Sequence, residues 1–246
     1  VGMDPNKNSV TKTVKRDIDA ISWYSVNATK KDMPYAELAE SNDRYMNILG
    51  SACKGGDADL VPSFTAGRDT RARIETGVSW VEGDPNAVDD AMKPYKNLYA
   101  LPPTIDELKA EIKSVLDYML VHKDVTTPNL VCSYGWNEHE EGGWLCPTLE
   151  CDENGNPIKD ANGNNKANTE RLDALKEVVD AYRAKEASGE TPAPDVTDAP
   201  DVTETPGTTD TKGGFNALWV IIPAAVVVIG GGAAAAVVVK KKKKLK

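Results

Sequence analysis

Cysteine is scarce in this 246-residue chain: Cys53, Cys132, Cys146 and Cys151 are too few for a disulfide-stapled scaffold. No C-x-x-C pair occurs, so a zinc site built on His139, Cys146 and Cys151 would lack the usual ligand spacing. Ordinary thiols, or one bridge closing the loop between Cys146 and Cys151, are the plainer readings, and neither a metal nor a cofactor is expected. No hydrophobic run follows the opening VGMDPNK, so no secretory signal is visible there. The first residue is valine, and the front of a longer protein is expected to precede it. Positive charge is also short over most of the chain. The formal net charge is −9, and without the six lysines at 240–244 and 246 it is −15, from 23 basic against 38 acidic residues. A body this acidic repels phosphate backbones, which argues against a nucleic-acid partner.

Charge is missing altogether from residues 215–239, FNALWVIIPAAVVVIGGGAAAAVVV. At about 1.5 Å per residue that run is long enough to cross a hydrocarbon core of roughly 30 Å with some tilt. Pro223 and the glycines 230–232 would be poor in a soluble helix but are tolerated in a spanning one. A buried core helix is the competing reading, and the length and the abrupt lysine stop argue against it. Trp219 suits the outer interface, and the lysines that follow place 240–246 in the cytoplasm and everything before 215 outside. The expected location is therefore the cell membrane, single-pass, with no LPxTG-like sorting motif ahead of the anchor. Residues 188–214 lack any aromatic residue and are rich in Thr, Pro, Asp and Gly, with the near-repeat APDVTDAPDVTETP. Such a segment cannot bury enough apolar surface to offset its ordering entropy, so a disordered linker is expected.

Residues 1–187 remain as the globular part. Stretches 20–26 (AISWYSV), 59–65 (DLVPSFT) and 129–134 (NLVCSY) read as strands, and 35–49 is helical in composition and spacing. In 104–122 Thr104 and Glu107 make a capping box ahead of the apolar stripe Ile105, Leu108, Ile112, Val115, Leu116 and Met119. In 168–187 Leu172, Leu175, Val178, Val179 and Tyr182 share a face. The order β-α-β-α-β-α predicts an α/β fold with a parallel sheet and crossover helices. Three such units fit an open sheet or the C-terminal part of a (β/α)8 TIM-type barrel, whose whole takes about 250 residues. Long loops after the strands, 66–103 and 137–168, are where barrel active sites are built, which favours an enzyme.

The stretch 133–148, SYGWNEHEEGGWLCPT, sets Glu138, His139, Glu140 and Glu141 between Trp136 and Trp144, just past an expected strand end at Tyr134. Extended, Glu138 and Glu140 would share a face. Turned, Glu138 and Glu141 become i, i+3 neighbours with Cβ atoms about 5–6 Å apart, and Gly142 and Gly143 favour the turn. Two carboxyl groups roughly 5–5.5 Å apart suit retaining glycoside hydrolysis. Tryptophan faces and the polar groups of Asn137, His139 and Tyr134 suit a sugar. The competing reading is a solvated acidic loop that caps the strand.

The run W-N-E-x-x-E-G-G-W resembles the late barrel segment of glycoside hydrolases of the family 99-like and family 71-like groups, which in family 99 reads close to N-E-W-H-E-G. GRDTRAR (67–73) after a strand resembles the Gly-x-Asp-x-Arg-x-Arg element found upstream in those relatives, and VSW (78–80) and PTL (147–149) are similar to the group too. The resemblance covers about residues 19–187, the later half of such a barrel. It implies that Glu138 is the base that assists the 2-hydroxyl through a 1,2-anhydro sugar, and that Glu141 is the acid/base at the leaving oxygen. It further implies that Trp136 and Asn137 shape the pocket and that the substrate is an α-mannosidic glycan. His139 stands one place before the family histidine, where Glu140 falls instead.

Asp69, Arg71 and Trp80 are further substrate-binding candidates, and Arg68 and Arg73 belong to the same element. These arginines either clamp sugar hydroxyls or hold two loops together by ion pairs. The stretch 152–165, DENGNPIKDANGNN, lacks the spaced acids and closing Glu of an EF-hand loop and reads as a turn-rich insertion or hairpin. Together the features point to a membrane-anchored extracellular glycoside hydrolase acting on an oligosaccharide or polysaccharide. A non-catalytic surface carbohydrate-binding protein is the alternative, and a spacer presenting another domain is a third reading.

Overall fold

The computed structural model describes residues 18–75 and 90–192. The expectations for Trp80, for most of the linker, for the apolar run 215–239 and for the lysine tail lie outside the described residues.

The longest uninterrupted run of buried residues among those described is 62–67, the second half of the expected strand 59–65 and the two residues after it. Continuous burial is what a parallel strand covered on both faces requires. This strand is split in two by Pro62, which has no N–H for the ladder. Its first half, β2 (Asp59–Leu60), pairs in parallel with β1 (Ala20–Ile21), in register Ala20↔Asp59. Its second half, β3 (Ser63–Thr65), pairs in parallel with β4 (Cys132–Tyr134), in register Phe64↔Ser133. All these pairings are parallel, with helices in the crossovers. Helix α1 (Tyr35–Lys54) lies between β1 and β2, while α2 (Arg71–Glu75) and α3 (Ile105–Val121) lie between β3 and β4. Helix α4 (Glu170–Ser188) follows β4 and packs along α3. Among the described residues the strands form an open array and do not close into a barrel.

The expected capping box opens α3. The Glu107 N–H donates to Thr104 Oγ1 at 3.2 Å, and the Thr104 N–H donates to the Glu107 carboxylate at 2.8 Å. Leu108, Ile112, Val115, Leu116 and Met119 are buried and join Leu38, Met46 and Leu49 of α1 and Leu175 and Val179 of α4 in one core against Leu60 and Phe64. Asn42 is the polar pin of that core: it accepts from Trp23 Nε1 at 2.8 Å and donates to the Ser63 carbonyl at 2.8 Å. Trp23 is thereby fixed inside, and its neighbour Tyr24 faces out with 53% of its surface exposed. Among the described residues no helix is long and apolar enough to cross a membrane.

The turn-rich stretch expected at 152–165 forms two successive hairpin turns between β7 (Thr148–Leu149) and β8 (Ala167–Asn168). They are copies of one motif, D-x-N-G-N, eight residues apart. Asp152 Oδ1 accepts the N–H groups of Asn154 and Asn156, and Asp160 Oδ1 those of Asn162 and Asn164. Gly155 and Gly163 take the left-handed positions, φ +80° and +82°. Each turn's own backbone N–H groups pull the Asp carboxyl below its ordinary range, so these acids serve the turns.

Candidate functional site

The C-terminal ends of β1, β3 and β4 bring three loops to one place. Tyr24 and Asn27 arrive after β1, Arg68 to Arg73 after β3, and the stretch 135–148 after β4. After the strand, β5 (Asn137–Glu138) pairs antiparallel with β6 (Gly143–Trp144), and a 3-10 turn, His139–Glu141, joins them. Gly142 closes that turn in the left-handed region at φ +74°. Glu138 ends β5 just before the turn, and Glu141 is the last residue of the turn.

The two acids nevertheless face different surroundings. Glu141 is 5% exposed and turns inward. One carboxylate oxygen takes Arg68 and the Tyr134 hydroxyl, the other takes Arg73. Arg68 also donates to Asn27 Oδ1 at 2.9 Å and to the Tyr134 oxygen, so loops from β1, β3 and β4 meet on this guanidinium. Two cations around one carboxylate compensate its charge in a site with little water, where such pairs are stronger than on the surface. Glu138 is half-buried at the rim. Beside it lies Tyr24, edge-on to Tyr134 at 4.9 Å between ring centres. Burial first and the Glu138 charge second push the Tyr24 phenol up, and burial does the same to Tyr134.

Backbone packing holds the loops together. The Asp69 N–H donates to the Glu141 carbonyl at 2.6 Å, and the Ala66 N–H to the Tyr134 carbonyl at 2.5 Å. Gly67, at φ +137°, has room only for hydrogen: a Cβ there would lie 2.1 Å from the Gly142 carbonyl oxygen. A Cβ on Gly142 would lie 2.7 Å from the Asp69 nitrogen. These glycines permit the close approach of the β3 and β4 loops.

The other expected site residues divide. Tyr134 is buried beneath the acids and Asn137 is exposed opposite Trp144. Trp136 packs against the core rather than standing at the rim. Trp144 carries the Arg171 guanidinium 3.6 Å from its ring centre, with the His139 ring at 5.5 Å. One of its faces is therefore taken by a cation from α4. Arg171 donates on to the carbonyls of Ala66 at 2.9 Å and Trp144 at 3.1 Å, tying α4 to the end of β3. Asp69 forms a two-point ion pair with Arg71, whose guanidinium lies 3.5 Å over the Tyr99 ring. His139 Nε2 is 3.5 Å from Cys146 Sγ. All four cysteines are free thiols, so no bridge joins Cys146 to Cys151, and among the described residues no group of three His, Cys, Asp or Glu is placed to hold a metal ion.

Tyr24, Asn27 and Arg171 enter the site with no motif to announce them. Tyr24 lies in a stretch expected as strand, but pairing stops at Ile21 and Tyr24 falls in the loop after it. Asn27 and Arg171 left no signal of their own, because only the tertiary fold brings them to the loops. No protein-family model, curated protein or solved structure matches this chain.

Proposed function

We propose that this chain is the later part of a surface-anchored glycoside hydrolase with a (β/α)8-type catalytic domain. On this reading a family 99-like or 71-like ancestry accounts for the W-N-E-x-x-E-G-G-W run, residues 188–214 form the stalk, and 215–239 the anchor. The reading rests on one observation: Glu138 and Glu141 stand i, i+3 on a single turn at the C-terminal ends of parallel strands, the end at which (β/α) enzymes carry their chemistry.

The surroundings of the two acids favour exchanging the roles that the resemblance implies. Glu141, compensated by Arg68 and Arg73, is suited to act as an anion towards the sugar carbon or its 2-hydroxyl. Glu138, at the rim with access to water, is suited to pass a proton to the leaving oxygen and take it back. Tyr24 and Asn137 offer the accessible aromatic face and amide beside them. Trp144, with Arg171 on its ring, serves better to fix His139 and the β6 strand than to stack a sugar.

In the intact protein Glu138→Gln and Glu141→Gln should each lower glycan turnover about 10²- to 10⁴-fold, the usual size of an acid–base contribution. Added azide separates the roles, since it replaces the anionic group from the opposite face of the sugar. A Glu138 variant rescued with retention and a Glu141 variant rescued with inversion support the exchanged roles. The reverse pattern restores the roles implied by the resemblance. A second reading, a surface carbohydrate-binding protein, is favoured by the burial of Glu141 with both of its oxygens engaged. Glycan binding that survives both substitutions, with no reducing ends released by the parent, would establish that reading instead.

A further inference from the structure

The second fully buried acid of the described fold has none of the partners that Glu141 has. Glu111 is 2% exposed, on the inner face of α3 against β3. One carboxyl oxygen accepts the Thr65 N–H at 3.4 Å, and the other has no hydrogen-bond partner. The Ser63 and Thr65 hydroxyls, two residues apart on the same strand, are also buried without partners.

The charged and titratable groups of every packed element are committed elsewhere or carry the wrong sign. On α1, Asp43 adds negative charge and accepts from Ser114 at 2.9 Å. The Tyr35 hydroxyl, also on α1, donates to the Thr65 carbonyl at 2.6 Å. On α3 itself, Glu107 is held in the capping box. On α4, Arg171 is spent on two backbone carbonyls. On β3 there is no ionisable group. Asn42 uses its oxygen on Trp23 and one amide hydrogen on the Ser63 carbonyl, and its amide is a neutral side-chain donor that favours the charged form of Glu111. An ionised carboxylate here would be a buried charge facing no cation, while a protonated one is a neutral acid with a donor of its own.

We propose that Glu111 is a neutral acid in the folded chain, and that its ionisation in alkaline solution loosens β3 from α1 and α3. The consequence reaches the candidate site, because Thr65, which binds both Glu111 and Tyr35, runs directly into Gly67, Arg68 and Asp69. Burial first and Asp43 next push the Glu111 carboxyl up to about 8, opposed by the Thr65 N–H and the Asn42 amide. A carboxyl raised on folding contributes stability that is whole at pH values below its unfolded pKa and is lost as pH climbs towards the folded one. The window therefore runs from about 4.5 to about 8.

The test is chemical unfolding of the described domain's host protein at a series of pH values from 5 to 9, for the parent and for Glu111→Gln. The parent should lose folded-to-unfolded ratio faster than the variant by about tenfold per pH unit within the window, one proton's worth. His122, which burial lowers, is common to both proteins and cancels in the comparison. Should Glu111→Gln fail to fold, carbon NMR of the parent labelled at glutamate carboxyl groups reads the same point: one resonance should titrate above pH 7, apart from the rest. Parallel stability profiles for parent and variant, or glutamate carboxyl groups that all titrate below pH 6, would overturn the proposal.

Discussion

Glu141 spends both carboxylate oxygens on Arg68, Arg73 and Tyr134, and losing Arg68 from this buried set leaves one oxygen without its cation and Arg73 alone to compensate the charge. Arg68→Gln should therefore lower the free energy of unfolding by about 3–5 kcal/mol, read from denaturant midpoints. Breaking an exposed ion pair such as Lys176–Asp180 should shift the same midpoint far less, because solvent screens it. Gly142→Ala is expected to cost more than about 1 kcal/mol, since the residue is left-handed and its Cβ would strike Asp69. A Gly142→Ala protein as stable as the parent would show that the two loops do not approach as described. At this scale the sequence was legible in part. The Gly142–Gly143 pair announced the turn, which Gly142 closes in the left-handed region. The counter-ions of Glu141 lie about seventy positions away in the chain, and no local pattern can say which arginine meets which acid. For the same reason Trp144, an evident sugar wall by type, carries Arg171 on its ring.

Helices were the most readable elements because their signals are local. The capping box at Thr104 and Glu107 and the stripe from Leu108 to Met119 lie within one segment, and the structure places both there. Removing the cap with Thr104→Ala should cost about 1 kcal/mol, measurable as a lower urea midpoint with an unchanged slope; an unchanged midpoint would show that the cap is idle. Strands were read too long, because a strand's extent depends on its neighbour. Stretch 20–26 pairs only at Ala20 and Ile21, after which Trp23 and Val26 turn into the core. Stretch 129–134 pairs only from Cys132, and Asn129 takes a left-handed φ of +50°. Stretch 59–65 divides at Pro62 for want of an N–H. The D-x-N-G-N motif recurs at 152–156 and 160–164, and its Asp and Gly residues are what such turns require.

At the scale of the whole molecule, the parallel pairings β1–β2 and β3–β4, with helices in the crossovers, set the loops of three strand ends side by side. That arrangement turns a row of acids into two distinct groups, one buried among arginines and one at an accessible rim beside Tyr24. It also sets β3, which leads into the loop carrying Arg68 and Asp69, against the buried acid Glu111. The most direct measurement is the release of reducing ends by that intact protein from a panel of polysaccharides that includes an α-mannan, with Glu138→Gln and Glu141→Gln alongside. Turnover by the parent that falls about 10²-fold or more in each folded variant is the expected result; undiminished turnover in either variant would contradict the assignment of these two acids.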